Sequence, residues 1–162
     1  MRIGLISFLL LVITFVSCTD VNRCYDSVDT LMISSFSVSG FKNITSMRIK
    51  GLNHNDVGGI LFTDSTSSLT KRAPLPLSLS ADSTGFIFTV NGKIDTLFVR
   101  HKMIISFISE YCGFAPAYTL SGYRRSKGID SVRITDAKVN SQSIVKTTND
   151  QNIKIYFNSA TH

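Results

Sequence analysis

The chain has 162 residues, 43% of them hydrophobic and 17% charged, with a formal net charge of +6. This is the length of one domain, and the composition excludes an intrinsically disordered tail, a collagen-like repeat and a multidomain assembly. Glu occurs once, at Glu110, Trp is absent, and Ser and Thr together supply 37 residues. Such a chain lacks the Glu, Lys, Ala and Leu of long amphipathic helices and suits short strands and turns.

The N-terminus carries the strongest signal. Arg2 precedes a 14-residue run from Ile3 to Val16 that contains no charge. As a helix it would span about 21 Å, short of the roughly 30 Å hydrocarbon core, so it fits the apolar region of a signal peptide better than a transmembrane span. Phe15-Val16-Ser17-Cys18 then resembles a bacterial lipobox, with Phe where Leu is usual. In that motif the cysteine receives diacylglycerol on sulfur, becomes the new N-terminus and is acylated again, which makes anchoring effectively permanent. The alternative is an ordinary secretory signal in which Cys18 happens to follow Ser17. The lipoprotein reading divides the chain into a signal peptide at 1–17, a lipidated tether at 18–25, one domain at 26–158 and a tail at 159–162.

With Cys18 lipidated, Cys24 and Cys112 remain in an exported, oxidising setting. A disulfide between them is the simplest account. It would close a loop of 88 residue steps, for which the chain-entropy model gives an upper figure of about 4.6 kcal/mol. Two free buried thiols, or a metal pair, are the alternatives.

Beyond Asp26 the sequence alternates with period two between turn residues, as strands with one wet face do. Leu31 to Val38 is a first candidate; Met47, Ile49 and Gly51 then alternate with Arg48 and Lys50, and Gly59 to Phe62 follows. Leu75 to Leu79 comes next, with Pro74 and Pro76 marking a sheet edge or strand start. Phe86, Phe88 and Val90 lead into Asn91-Gly92, the strongest short hairpin signal, after which Ile94 to Val99 should return antiparallel. Met103 to Ile108, Ala117 to Tyr123, Val132 with Ile134, and Ile153 to Phe157 complete the set. The expectation is an all-β domain, an antiparallel immunoglobulin-like sandwich of about seven to nine strands, behind a cleaved signal helix.

The early Cys24, Leu75-Pro76-Leu77, Asp95-Thr96-Leu97, the run Phe107-Ile108-Ser109-Glu110-Tyr111-Cys112-Gly113-Phe114, Ile129-Asp130 with Ser131-Val132, and Asn152-Ile153-Lys154-Ile155 together resemble a family of small Bacteroidota lipoproteins with a domain of unknown function (DUF6452-like). The resemblance spans almost the whole mature chain. It implies lipoprotein status and an unassigned role, and it carries no catalytic residues.

Motifs for chemistry are sparse. His54, His101 and His162 are too scattered for a local zinc motif, and neither a Gly-x-Ser-x-Gly elbow nor a phosphate loop occurs. His101 shares strand parity with Met103, Ile105 and Phe107, which reads as a buried structural histidine rather than a general base. Asn53, Asn55, Gly58 and Asp64 have the offsets of a calcium loop, but Val57 takes a ligand position and a plain turn is the better reading. Six of the ten Asp precede Ser or Thr, at Asp26, Asp29, Asp64, Asp82, Asp95 and Asp130. The pattern resembles an O-glycosylation signal, although turn chemistry accounts for most of it. Arg124, Arg125 and Lys127 form a basic loop, and the mature chain carries +5. In an exported protein such a loop points to an acidic lipid, an acidic glycan or a partner surface, not to nucleic acid, or else it is simply solvated.

The resulting expectation is a non-catalytic binding or accessory subunit, lipid-anchored at the outer membrane with no cofactor and no metal. Its partners would be the membrane through the anchor, an outer-membrane protein, or a glycan. The competing expectation is a glycan-binding or glycan-hydrolysing lipoprotein, with acids among Asp82, Asp95 and Glu110.

Overall fold

A computed structural model describes residues 30–52, 57–109, 113–140 and 151–160. The apolar run at Ile3–Val16, all three cysteines (Cys18, Cys24, Cys112), Glu110, Asn53, Asn55, His54 and His162 lie outside the described residues.

The described residues form an all-β sandwich of two sheets. The strands are β1 (Leu31–Val38), β2 (Met47–Leu52), β3 (Gly59–Asp64), β4 (Thr70–Pro76), β5 (Ser83–Val90), β6 (Lys93–Ser109), β7 (Gly113–Arg125), β8 (Ile129–Ile134), β9 (Lys138–Val139) and β10 (Ile153–Phe157). One sheet has the order β4-β1-β10-β8 and the other β3-β2-β5-β6-β7-β9. Period-two alternation sends Phe36 of β1 and Phe157 of β10 inward from the first sheet, and Phe88 of β5 inward from the second. All three are fully buried. Their rings meet across the sandwich, with centroids 5.6 Å apart for Phe36–Phe88 and 5.8 Å for Phe88–Phe157. The two layers are therefore joined by aromatic packing at the centre of the core.

Asn91 and Gly92 form the β5–β6 turn with φ of 49° and 81°, the paired left-handed conformation that a two-residue hairpin requires. Asn91 also ties down the chain before β2, because its Oδ1 accepts from the Thr45 amide at 2.8 Å and the Thr45 hydroxyl at 2.9 Å.

Four expectations need correction. The strands number ten among the described residues, because β9 is two residues long and too short to show a period. The sandwich is not wholly antiparallel, since β1 and β10 pair in parallel, Phe36 opposite Ile155. The strand expected at Leu75–Leu79 instead begins at Thr70. Its inward positions are Lys71, Ala73 and Leu75, and a lysine at a core position hides the alternation. Lys71 is 3% exposed, and its Nζ donates to Asp64 Oδ2 at 2.7 Å and to the Thr66 carbonyl at 2.5 Å. With Pro74 and Pro76 it lies on the edge strand of its sheet, where a missing amide is tolerated. Finally, the strands expected at Ile94–Val99 and Met103–Ile108 are one strand of 17 residues. Arg100-His101-Lys102 separates the two expected strands in sequence, and the backbone continues through it.

Candidate anion-binding face

His101 keeps β6 continuous. It is 2% exposed, its Nε2 shares a hydrogen bond of 2.8 Å with Thr84 Oγ1, and its ring packs edge-on against Tyr118 at 5.3 Å. The Ser78 amide donates to the same Thr84 oxygen at 2.8 Å. His101 is thus a structural residue of the core rim.

With His101 facing inward, its neighbours Arg100 and Lys102 face outward, and the registers extend this row across the sheet. Arg48 stands opposite Thr89, which stands opposite Ile94; Lys50 stands opposite Ile87 and then Thr96. Leu52, Gly85, Phe98 and Arg124 form the next row, followed by Ser83, Arg100 and Gly122. Lys102, Thr119 and Lys138 form the last. Directly paired residues share a face. The outer face of the six-stranded sheet therefore carries Arg48, Lys50, Arg100, Lys102, Arg124 and Lys138, all exposed.

Within this face Asp82, Ser83, Phe98, Arg100 and Arg124 line a groove of about 360 Å³. Its floor follows from two mid-strand glycines. A Cβ on Gly85 would stand 2.9 Å from Phe98 Cε1, so the absent side chain makes room for the aromatic ring. A Cβ on Gly122 would meet nothing within 4 Å, which leaves open space beside Arg100. The Arg124 guanidinium lies over Phe98, 5.0 Å from the ring centroid, a cation–π contact that holds it at the groove wall. Arg100 and Arg124 are diagonal neighbours, at the roughly 7–8 Å spacing of such pairs. Two planar forks at this spacing match a carboxylate, sulfate or phosphate group. Asp82 adds an acceptor that suits a hydroxyl beside the acidic group.

The residues of the expected basic loop separate. Arg124 and Arg125 belong to β7, not to a loop. Arg125 faces away from the groove, and its Nη1 donates to the Ile129 carbonyl. Lys127 sits in the turn after β7, exposed. Of the three, Arg124 alone reaches the groove.

The expected acids do not converge either. Asp95 stands opposite Phe88 on the inward side of β6 and is 6% exposed. It accepts from Ser126 Oγ at 2.5 Å and rests against Gly128, whose added Cβ would lie 2.3 Å from Asp95 Oδ1. Asp95 thus fastens the β7–β8 turn. Asp82 lines the groove on the opposite face of the sheet, so these two carboxylates do not face one another as acid and base. Asp64 is taken up by Lys71 and by an Asx turn, accepting from the Thr66 amide at 2.8 Å and the Thr66 hydroxyl at 2.7 Å. The hydrogen bond from the Lys71 ammonium, and then the two Thr66 donors, lower its pKa from 3.8 to about 2. No cluster of three metal-ligating side chains occurs among the described residues.

Phe98, Arg100, Lys102, Arg48, Lys50 and Lys138 were not singled out from sequence. The available signal was their parity: cations at alternate positions, offset by one from the apolar core residues. Assembling them needs the register of five strands, β2, β5, β6, β7 and β9.

No curated protein and no solved structure matches the chain. A family model described as a family of unknown function, DUF6452, matches residues 46–157, which takes in β2 through β10 and every residue of the groove. The chain belongs to the family of unknown function DUF6452.

Proposed function

We propose that this protein is a lipid-anchored cell-envelope binding subunit that holds an acidic partner on the outer face of its six-stranded sheet. The observation that carries the reading is the assembly of six cations on that face, two of them walling a groove with an aromatic floor. The anchor is the expected diacylglycerol on Cys18, and a Cys24–Cys112 disulfide would tie the tether to the domain. The lipobox-like sequence and the resemblance to a lipoprotein family support residence in the outer membrane. The face has no paired carboxylates among the described residues, and its exposed charges suit association and steering more than chemistry.

The test is mild-detergent affinity purification of the chromosomally tagged protein from native membranes, beside an Arg100→Ala/Arg124→Ala variant and an Arg133→Ala variant. Arg133 stands on β8, in the other sheet. A stoichiometric partner retained by the parent and by Arg133→Ala, and lost from the double variant, is the expected result. Retention by the double variant would remove the face from the account.

A second reading is favoured by Phe98 and Asp82 in the same groove: an aromatic plane, two guanidinium groups and one carboxylate also fit an acidic glycan. A protein that purifies alone but binds sulfated or uronate-bearing polysaccharide beads, with affinity lost in the double variant, would select it.

A further inference from the structure

The second half of β6 and the first half of β7 leave the body of the sheet together. β5 pairs with β6 only as far as Ser83 opposite Arg100. From there β6 is paired by β7 alone, down to Ser109 opposite Gly113. On its other side β7 meets β9 only at Tyr118 and Thr119. This two-stranded ribbon runs about 20 Å from His101 to Phe107 at roughly 3.3 Å per residue, and Ala115 and Ala117 on its other face are buried.

One face of this ribbon continues the core and then loses its cover. His101 is 2% exposed and Tyr118 3%, whereas further out Ile105 is 69%, Phe107 57% and Phe114 69% exposed. Phe107 and Phe114 stand opposite each other with rings in edge contact at 5.4 Å. Isolated surface apolar residues are ordinary, but an aliphatic and two aromatic side chains in register at the end of the ribbon form a contiguous patch.

The described chain begins beside this patch. The Thr30 hydroxyl donates to the Pro116 carbonyl at 2.6 Å, so the polypeptide enters the domain against the ribbon itself. Cys18 stands twelve residues before Thr30, so the chain that would lead back to the anchor leaves the described domain beside the ribbon. Ile94, 71% exposed, lies at the β5–β6 turn at the opposite end of the same strand.

We infer that the tip of the β6–β7 ribbon, with Ile105, Phe107 and Phe114, rests in the interfacial layer of the bilayer that carries the anchor. This rests on the anchor reading above. Aromatic side chains favour the boundary between headgroups and acyl chains, and an apolar protein face lies there about 5–10 Å deep. Two attachments, the anchor and the tip, would set the orientation of the domain and leave its cationic face clear of the hydrocarbon.

The chain has no Trp, so one introduced indole is an unambiguous probe. Full-length Phe107→Trp and Ile94→Trp proteins are purified in detergent and reconstituted into vesicles of phosphatidylethanolamine and phosphatidylglycerol, with and without brominated acyl chains. The expected result is blue-shifted emission quenched by bromolipid for Phe107→Trp, and solvent-like unquenched emission for Ile94→Trp. Equal quenching of both, or none at Phe107→Trp, overturns the inference. A blue shift at Phe107→Trp without quenching overturns it too and shows that protein covers the tip: a second copy if the shift grows with protein concentration, the chain itself if it does not. The intact mass of the same sample reports acylation of Cys18 separately. An unacylated protein whose tip is quenched refutes the anchor and keeps the tip; an acylated protein whose tip is unquenched does the reverse.

Discussion

Phe88→Ala tests the central claim about how the sandwich coheres. Phe88 is fully buried on β5 and touches three other rings, Phe36 and Phe157 from the facing sheet and Phe86 beside it at 6.3 Å. Truncating a buried Phe costs about 3–5 kcal/mol from lost transfer and the cavity left behind. The aromatic pairs, about 0.5–1.5 kcal/mol each, place this site toward the upper end. Domains of this kind have about 5–15 kcal/mol in total, so the variant should lose a large fraction of its stability and about 10–20 °C of melting temperature. Phe114→Ala is the matched comparison: the same residue type, 69% exposed, with an expected cost below about 1 kcal/mol in aqueous buffer. The assay is urea unfolding followed by far-UV circular dichroism, with the slope shared between variants. If Phe88→Ala shifts the midpoint no more than Phe114→Ala, the assignment of one ring to the core and the other to a free tip is wrong.

The Asp64 carboxyl gives a pH signature. Its pKa in the folded protein is depressed from 3.8 to about 2, so its stabilising contribution is present above the ordinary carboxylate value and is lost as pH falls through that interval. Asp64→Asn should flatten this limb of an acid titration of the urea midpoint and lower stability near neutrality; an unchanged acid limb would refute the assignment. Gly51→Ala should be poorly tolerated, because the new Cβ would stand 1.6 Å from the Val57 carbonyl oxygen. A cost of about 3 kcal/mol or more is expected in the same urea assay. Gly92→Ala meets no steric contact but must hold φ at 81°, and its expected cost is about 1–2 kcal/mol.

Much of the secondary structure was readable because one face of each strand is dry. Leu31–Val38 and Ile153–Phe157 were expected with the bounds they have, and Asn91-Gly92 announced its own turn. Reading failed where a polar residue occupies an inward position. Lys71 looks like a break in the hydrophobic pattern, yet it is buried because Asp64 and the Thr66 carbonyl accept its hydrogen bonds; His101, expected to be buried, is so and shares a hydrogen bond with Thr84. The groove was hidden for a related reason. Arg124 stood out as part of a basic run, whereas Arg100 and Phe98 acquire meaning only beside it, through the pairing of β6 with β7.

Composition and alternation by themselves determined an all-β domain, its main strands and its tightest turn, because these depend on the preferences of neighbouring residues and on burial of one face. Tertiary structure decided the parallel β1–β10 pair, the separation of Asp82 from Asp95, the gathering of cations from four strands onto one face, and the exposure of Ile105, Phe107 and Phe114 on the β6–β7 ribbon. Each of these depends on which distant strands lie side by side and in what register. A local pattern carries the face on which a residue sits, but not its neighbours on that face.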